Sequence, residues 1–218
     1  MRLTKFTHAC VKLEKDGKAI VFDPGSFSEL ETALSGVNAV LVTHEHMDHI
    51  DIDAVTAALQ ADPDLLLHAP GSVTKQLGEA APEVSGQIKT VEPGEEFETA
   101  GFTVHAYGGQ HALIHPRVPI VANLGYVIDG KVYHPGDALI VPEDIQVQTL
   151  LVPLHAPWAK MSEMIDFVTA VRAPMVYQIH DALLSDIGFS VMERMLTQIA
   201  GLYGIQYQHL RPGESIEI

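Results

Sequence analysis

Apolar and polar residues alternate along this chain in a way that divides it into two stretches of similar design. In the first, Leu3–His8 and Val11–Lys15 read as half-buried strands, Asp16-Gly17 is a hairpin turn, and Ala19–Phe22 is an apolar run ending at Asp23-Pro24-Gly25. Val37–Val42 is a buried-strand run, and Ile52–Ala61 has helical periodicity with Asp51 placed to cap it. Leu65–His68 reads as a strand, and Ser72 is positioned to cap a short helix reaching about Ala80. The second stretch restarts with strands at Ile88–Val91, Glu96–Thr99, Phe102–Tyr107, Ala122–Ile128 and Lys131–His134, the last two joined by Asp129-Gly130. It then alternates: strand Thr149–Pro153, helix Ser162–Val171, strand Met175–His180, helix Ser185–Leu202, strand Gln206–Leu210.

Each stretch is thus a β-meander followed by strand–helix alternation. Two such halves predict an α/β fold, a four-layer αββα sandwich with sheet packed on sheet and helices outside, built as a single domain over residues 1–218. Strand ends from both halves then converge on one edge, and polar residues cluster just beyond those ends.

Composition narrows the partners. The formal net charge of −15 disfavours phosphate backbones and anionic lipid, so neither nucleic acid nor a membrane surface is expected. No apolar stretch approaches the ~20 residues of a membrane span, and Met1–Lys5 has no basic-then-apolar leader. A cytoplasmic enzyme acting on a small molecule is the expectation, and homo-oligomerisation is compatible with it. The single cysteine, Cys10, lies in the strand-like run Thr7–Leu13 and reads as a small buried residue, not a nucleophile.

The placement of the histidines carries the chemistry. In Thr43-His44-Glu45-His46-Met47-Asp48-His49, four metal-ligating side chains fall within six residues, just after a strand. On a regular element they would diverge; on a loop they can converge. His44 and His46, two apart in extended backbone, suit one ion, and Asp48 and His49, after a bend, suit a second. Further donors stand at other strand ends: His111 after Gly108-Gly109, Asp137 in Pro135-Gly136-Asp137, and His180. Imidazole with carboxylate suits zinc, and also manganese or iron.

His44-x-His46-x-Asp48-His49 with upstream Asp23, then His111, Asp137 after a Gly, and His180, resembles the five motifs of the metallo-β-lactamase superfamily in the same order, over Thr7 to His180. Thr7-His8-Ala9 and Phe22-Asp23-Pro24-Gly25 are similar to the lactonase-like branch of predicted metal-dependent hydrolases. The resemblance implies that His44, His46 and His111 hold one ion, that Asp48, His49 and His180 hold the other, and that Asp137 bridges. It also implies that Asp23 steadies the His44–His49 loop. Two positions depart from the pattern. Ala138 stands where the family often has Thr, removing that hydroxyl, and Pro153-Leu154-His155-Ala156-Pro157-Trp158 replaces the branch's small residues.

Two divalent ions about 3.5–4 Å apart share a water, lower its pKa and make hydroxide available near neutrality. Asp48 is the candidate to orient it and then pass a proton to the leaving group, and His155 the candidate to stabilise an oxyanion. His8 reads equally as a residue beside the metals or as a partly buried strand-end histidine. His115 reads as a loop residue, and His68, His105 and His209 as structural. His134 is a near-site position. Met161, Met164, Met192 and Met195 follow helical spacing and read as core. The expected function is hydrolysis of a small ester, lactone or related acyl compound. The alternatives are a metal-dependent phosphodiesterase and a di-iron oxidoreductase.

Overall fold

The computed structural model describes all 218 residues. In chain order the first sheet begins with β1 (Arg2–Lys5), β2 (Val11–Lys15) and β3 (Lys18–Phe22). After α1 (Leu30–Leu34) come β4 (Ala39–Leu41), α2 (Ile52–Ala61), β5 (Leu66–Ala69), α3 (Gly71–Ala80) and β6 (Ile88–Thr90). The second sheet is β7 (Glu96–Thr99), β8 (Phe102–Gly108), β9 (Leu124–Ile128), β10 (Val132–His134), β11 (Thr149–Pro153), α4 (Met161–Val171), β12 (Met175–Ile179), α5 (Asp186–Gly201) and β13 (Gln206–Gln208). A last strand, β14 (Ser215–Glu217), crosses back to pair antiparallel with β1 at the edge of the first sheet. No helix is long and apolar enough to cross a membrane.

Each sheet has seven strands, in the orders β14-β1-β2-β3-β4-β5-β6 and β13-β12-β11-β10-β9-β8-β7. The period-2 alternation of side chains then assigns three cores. Ile20, Phe22 and Leu41 face Tyr126, Ile128 and Leu151 between the sheets. Val21, Val40 and Val42 point the other way, onto Val55, Leu59, Val73 and Leu77 of α2 and α3. Val127, Leu150 and Val152 pack on Phe167, Val168 and Leu196 of α4 and α5. Three cores between four layers are the αββα sandwich.

Topology explains where the site lies. β1 and β3 are both antiparallel to β2, and β4 is parallel to β3. In the second sheet β8 and β10 are both antiparallel to β9, while β11 and β12 continue parallel to β10. Every strand followed by a candidate ligand therefore runs the same way within its own sheet and presents its carboxyl end at the same edge.

Several local expectations are corrected. Ser72 does not cap α3; the cap position is Pro70, with no side-chain bond, and Ser72 lies inside the first turn. Asp51 does cap α2, its side chain accepting from the Ala54 N–H, and Ser185 caps α5 through Gly188. β1 stops at Lys5 and β2 starts at Val11, so His8 sits in a turn and Cys10 in the connection after it, neither in a strand. His209 lies beyond β13, and the true last strand is β14. Only Met164 of the four helical methionines is fully buried. Five-residue α1, a 3-10 turn at Pro82–Gln87 and β14 had no clear pattern of their own.

Candidate metal centre

The His44–Asp48 segment has no regular hydrogen-bonded structure and leaves β4 against the Asp23-Pro24-Gly25 turn. Gly25 is required there: a Cβ would lie 2.0 Å from the Asp48 carbonyl oxygen. Asp23, buried and held at φ 45°, clamps the loop from beneath. Its Oδ1 accepts the Thr43 N–H at 2.8 Å, and its Oδ2 accepts the Thr43 hydroxyl at 2.7 Å and His49 Nδ1–H at 2.6 Å. Gly136, at φ 61°, turns the chain so that Asp137 points inward, and a side chain there would collide with Asn123 and Thr43. Asn123 completes the turn, donating to the Pro135 carbonyl and accepting the Asp137 N–H, both at 2.9 Å.

Two donor clusters result. His44, His46, His111 and Asp137 offer one ligand atom each within 4.8 Å of one another, and so do His8, Asp48, His49 and His180. Asp137 stands between the two sets. Its Oδ1 is 3.1 Å from His49 Nε2, and its Oδ2 is 3.0 Å from His180 Nε2, 3.3 Å from His111 Nε2 and 3.9 Å from His44 Nε2.

Hydrogen bonds on the far side of each ring decide which nitrogen is free. His49 Nδ1 donates to Asp23, His111 Nδ1 to the Ala112 carbonyl at 2.6 Å and His180 Nδ1 to the His155 carbonyl at 2.7 Å. His44 Nδ1 lies 3.0 Å from the Thr43 hydroxyl, whose own proton goes to Asp23. All four rings are thereby turned with Nε2 toward the centre, the arrangement that outer partners impose on metal-binding histidines. His46 Nδ1 is 3.0 Å from His44 Nε2, close enough for the pair to share a proton or an ion.

His8 is different. Its Nδ1 accepts the Ala182 N–H at 3.2 Å, so Nε2 carries the proton and donates to Asp48 Oδ2 at 3.0 Å. It orients a carboxylate, and its own lone pair is already taken. The backbone that holds it is strained, as are Asp23 and His180: φ is 68° at His8, 45° at Asp23 and 55° at His180. Such conformations cost about 1–3 kcal/mol each and persist where surroundings over-determine them. Here Lys5 does so. Buried at 1% exposure, it donates to the His8 carbonyl at 2.9 Å and pairs with Asp181, whose Oδ1 also accepts the His8 N–H.

Charge is distributed unevenly. Burial and the neighbouring His49 push His44 well below the usual imidazole range. Burial alone would raise Asp137, but the nearby His49 and His180 outweigh it and hold the carboxyl well below its usual range. Conversely Asp137 and Asp23 overcome burial to raise His49 well above its usual value, and Asp137 raises His180. Burial opposes ionisation of Asp48, yet the His8 bond with His49 and His180 brings it down to about 2.

Whether an ion fits can be read from the unpartnered atoms. His49 Nε2, His111 Nε2, His180 Nε2 and Asp137 Oδ1 are buried without any hydrogen-bond partner. Each such atom costs about 1–3 kcal/mol unless something satisfies it. Lone pairs converging from imidazole and carboxylate are met by a divalent cation.

The remaining histidines are accounted for. His134 Nε2 donates to the Ala9 carbonyl at 2.9 Å and its ring stacks on Phe22, tying the two sheets together below Asp23. His68 bonds Thr99, His105 meets Tyr107, His209 pairs with Glu193, and exposed His115 accepts the Arg117 N–H. His155 is half-buried and bound to His180 through its backbone in both directions; its imidazole has no hydrogen-bond partner within the chain. Burial raises the Cys10 thiol well above its usual value, so it is no nucleophile. Sequence reasoning missed Asn123, Lys5 and the part played by Trp158, whose indole N–H donates to Asp137 Oδ2 at 3.0 Å. Being the one tryptophan, beside the His155 loop, was the only signal for it.

A family model described as "Beta-lactamase superfamily domain" matches residues 2–180. The chain belongs to this family. Within it, the chain is 36% identical over 204 residues to Protein Rv0786c of Mycobacterium tuberculosis, covering 91% of this chain and 92% of that one. It is 26% identical over 236 residues to a UPF0173 metal-dependent hydrolase of Anoxybacillus flavithermus, covering both chains completely. Among solved structures it shares its fold with Igni18, a metallo hydrolase from Ignicoccus hospitalis, at TM-score 0.75 and 20% identity, covering 99% of this chain and 97% of that one.

Proposed function

We propose that this metal-dependent hydrolase of the beta-lactamase superfamily, one domain over residues 1–218, binds two divalent ions and hydrolyses a small ester, lactone or related acyl compound. The single observation that carries the reading is the set of four buried, unpartnered atoms on His49, His111, His180 and Asp137. His44, His46 and His111 hold one ion, Asp48, His49 and His180 the other, and Asp137 lies between them. Zinc suits this donor set, as do manganese and iron. Bound there, two such ions supply an activated water near neutral pH and polarise the acyl oxygen.

The chain's own residues do the rest. Asp48, ionised and held by His8 Nε2–H, orients the attacking water and carries its proton to the leaving group. Asp23 and the Ala112 and His155 carbonyls keep three imidazoles aimed inward. His155, free on its imidazole, supplies a hydrogen bond to the reacting oxygen. Chain and core support a single unit: the inter-sheet core draws on both halves, so neither half buries it alone.

The test is a screen of metal-reconstituted protein against lactones, carboxyl esters, thioesters and phosphodiesters, with metal content measured alongside. Two ions per chain and turnover of an acyl class are expected. Turnover of phosphodiesters alone, or at most one ion bound under metal excess, overturns the reading.

A further inference from the structure

We propose that a cavity of about 470 Å³ beside the first donor cluster binds an unbranched aliphatic chain of the substrate, with Trp158 as the wall it shares with the metal centre. This deepens the acyl-hydrolase reading above and rests on it for the identity of the occupant.

The cavity is assembled from three segments, each leaving a strand that also delivers a site residue. Ala112, Leu113 and Ile114 follow His111, Leu139 follows Asp137, and Pro157, Trp158 and Ala159 follow His155. Six of its nine lining residues are hydrophobic, unlike those of the donor clusters it adjoins, and its size lies within the roughly 300–1,000 Å³ of small-molecule sites. Lys160 and Glu163, both exposed, complete the lining and pair with each other at 2.9 Å.

Trp158 is what joins cavity to chemistry. Its N–H is fixed on Asp137 Oδ2, and its ring centroid lies 5.8 Å from that of His111 and 6.1 Å from that of His180. The same buried side chain lines the cavity. A substrate whose reacting carbonyl sits at the clusters therefore has apolar volume available on the Trp158 side. The His8–Asp48 pair and the buried Lys5–Asp181 pair belong instead to the second cluster and its support. Leu113 and Ile114 are 54% and 38% exposed, and the adjacent Val118 and Ile120 are exposed as well. Apolar residues gathered on the 15-residue connection from Gly108 to Leu124 mark a binding surface more often than chance.

Because Trp158 is the one tryptophan, its fluorescence reads this cavity directly, without turnover. Zinc-loaded protein is titrated with acetate, butyrate, hexanoate and octanoate, which share a carboxylate head and differ only in chain. The expected Kd falls about threefold to fourfold per added methylene until the cavity is full. Ala159→Phe, which fills the cavity, and Leu113→Asp, an exposed change that leaves the fold intact, should both flatten the trend with metal content unchanged. A Kd independent of chain length, or a trend unaffected by both variants, overturns the proposal. So does a concentration-dependent dimer, dissolved by Leu113→Asp and showing no trend, since a second copy would then cover the patch. A clear trend in protein that turns over no acyl compound supports the cavity and sinks only the acyl-hydrolase reading.

Discussion

The two donor clusters are built from nearly the same residue types yet are held in different ways. In the first, three imidazoles meet Asp137. His44 is driven toward its neutral form, His46 is half-buried with its Nδ1 turned to His44, and Trp158 donates to the shared carboxylate. In the second, Asp48 is brought to about 2, His49 and His180 are raised by Asp137, and a buried carboxylate, Asp23, stands behind His49. Among the site residues, non-glycine backbone at positive φ occurs only in the second cluster and its support, at His8, Asp23 and His180. The first is therefore an ionised carboxylate ringed by imidazoles, two of them favoured in the neutral form, which suits a cation. The second is a charge-compensated set in which neighbouring carboxylates favour the protonated forms of His49 and His180. The second should be the more rigid and the more pH-sensitive of the two.

Asp137→Ala should break the comparison most completely, because that carboxylate serves both clusters. We expect loss or mismatch of at least one ion and turnover reduced to background, checked by elemental analysis and rates on the same preparation; retention of two ions and full activity removes its bridging role. His155→Ala should keep both ions and the melting temperature while turnover falls about 100-fold, the cost of losing one oxyanion donor. Unchanged turnover there would leave His155 only its backbone bonds to His180.

Asp23→Asn should act on the second cluster, weakening its ion or its activity by about 10–100-fold through His49. If both ions weaken equally, the clusters are not separable in this way. Trp158→Phe should affect the first cluster more, by about tenfold, since a hydrogen bond to a charged acceptor is worth about 1.5–3 kcal/mol and the ring volume is largely kept. The smallest effect is the most diagnostic. With His49 and His180 raised in the metal-free protein, ion uptake should release protons, so affinity should climb as pH rises through neutrality. Titration in weakly buffered solution reads the release directly, and uptake without acidification contradicts the charge-compensated description.

Much of the molecule was legible in its sequence because two signals are local. Period-2 and period-3.6 alternation located β2, β7, β11 and α2 to the residue, and the doubled meander-plus-alternation pattern implied the four-layer sandwich. The density of donors in His44–His49 named the chemistry, since no other common arrangement needs four such side chains in six residues. What remained hidden is non-local. β14 belongs to the first sheet although it follows the second, because only packing supplies the open edge of β1 that it covers. Ser72 looked like a cap, but the cap position lies two residues earlier, at Pro70, and Gly71 is already helical. The tautomers of His8, His49, His111 and His180 depend on partners 1 to 174 positions away, and no spacing rule encodes them. Residue types thus determined that a metal site exists and which strands carry it. Tertiary structure alone decided which nitrogen faces inward, that Trp158 reaches Asp137, and that a cavity opens beside them, because hydrogen-bond direction and enclosed volume are properties of chains already folded together.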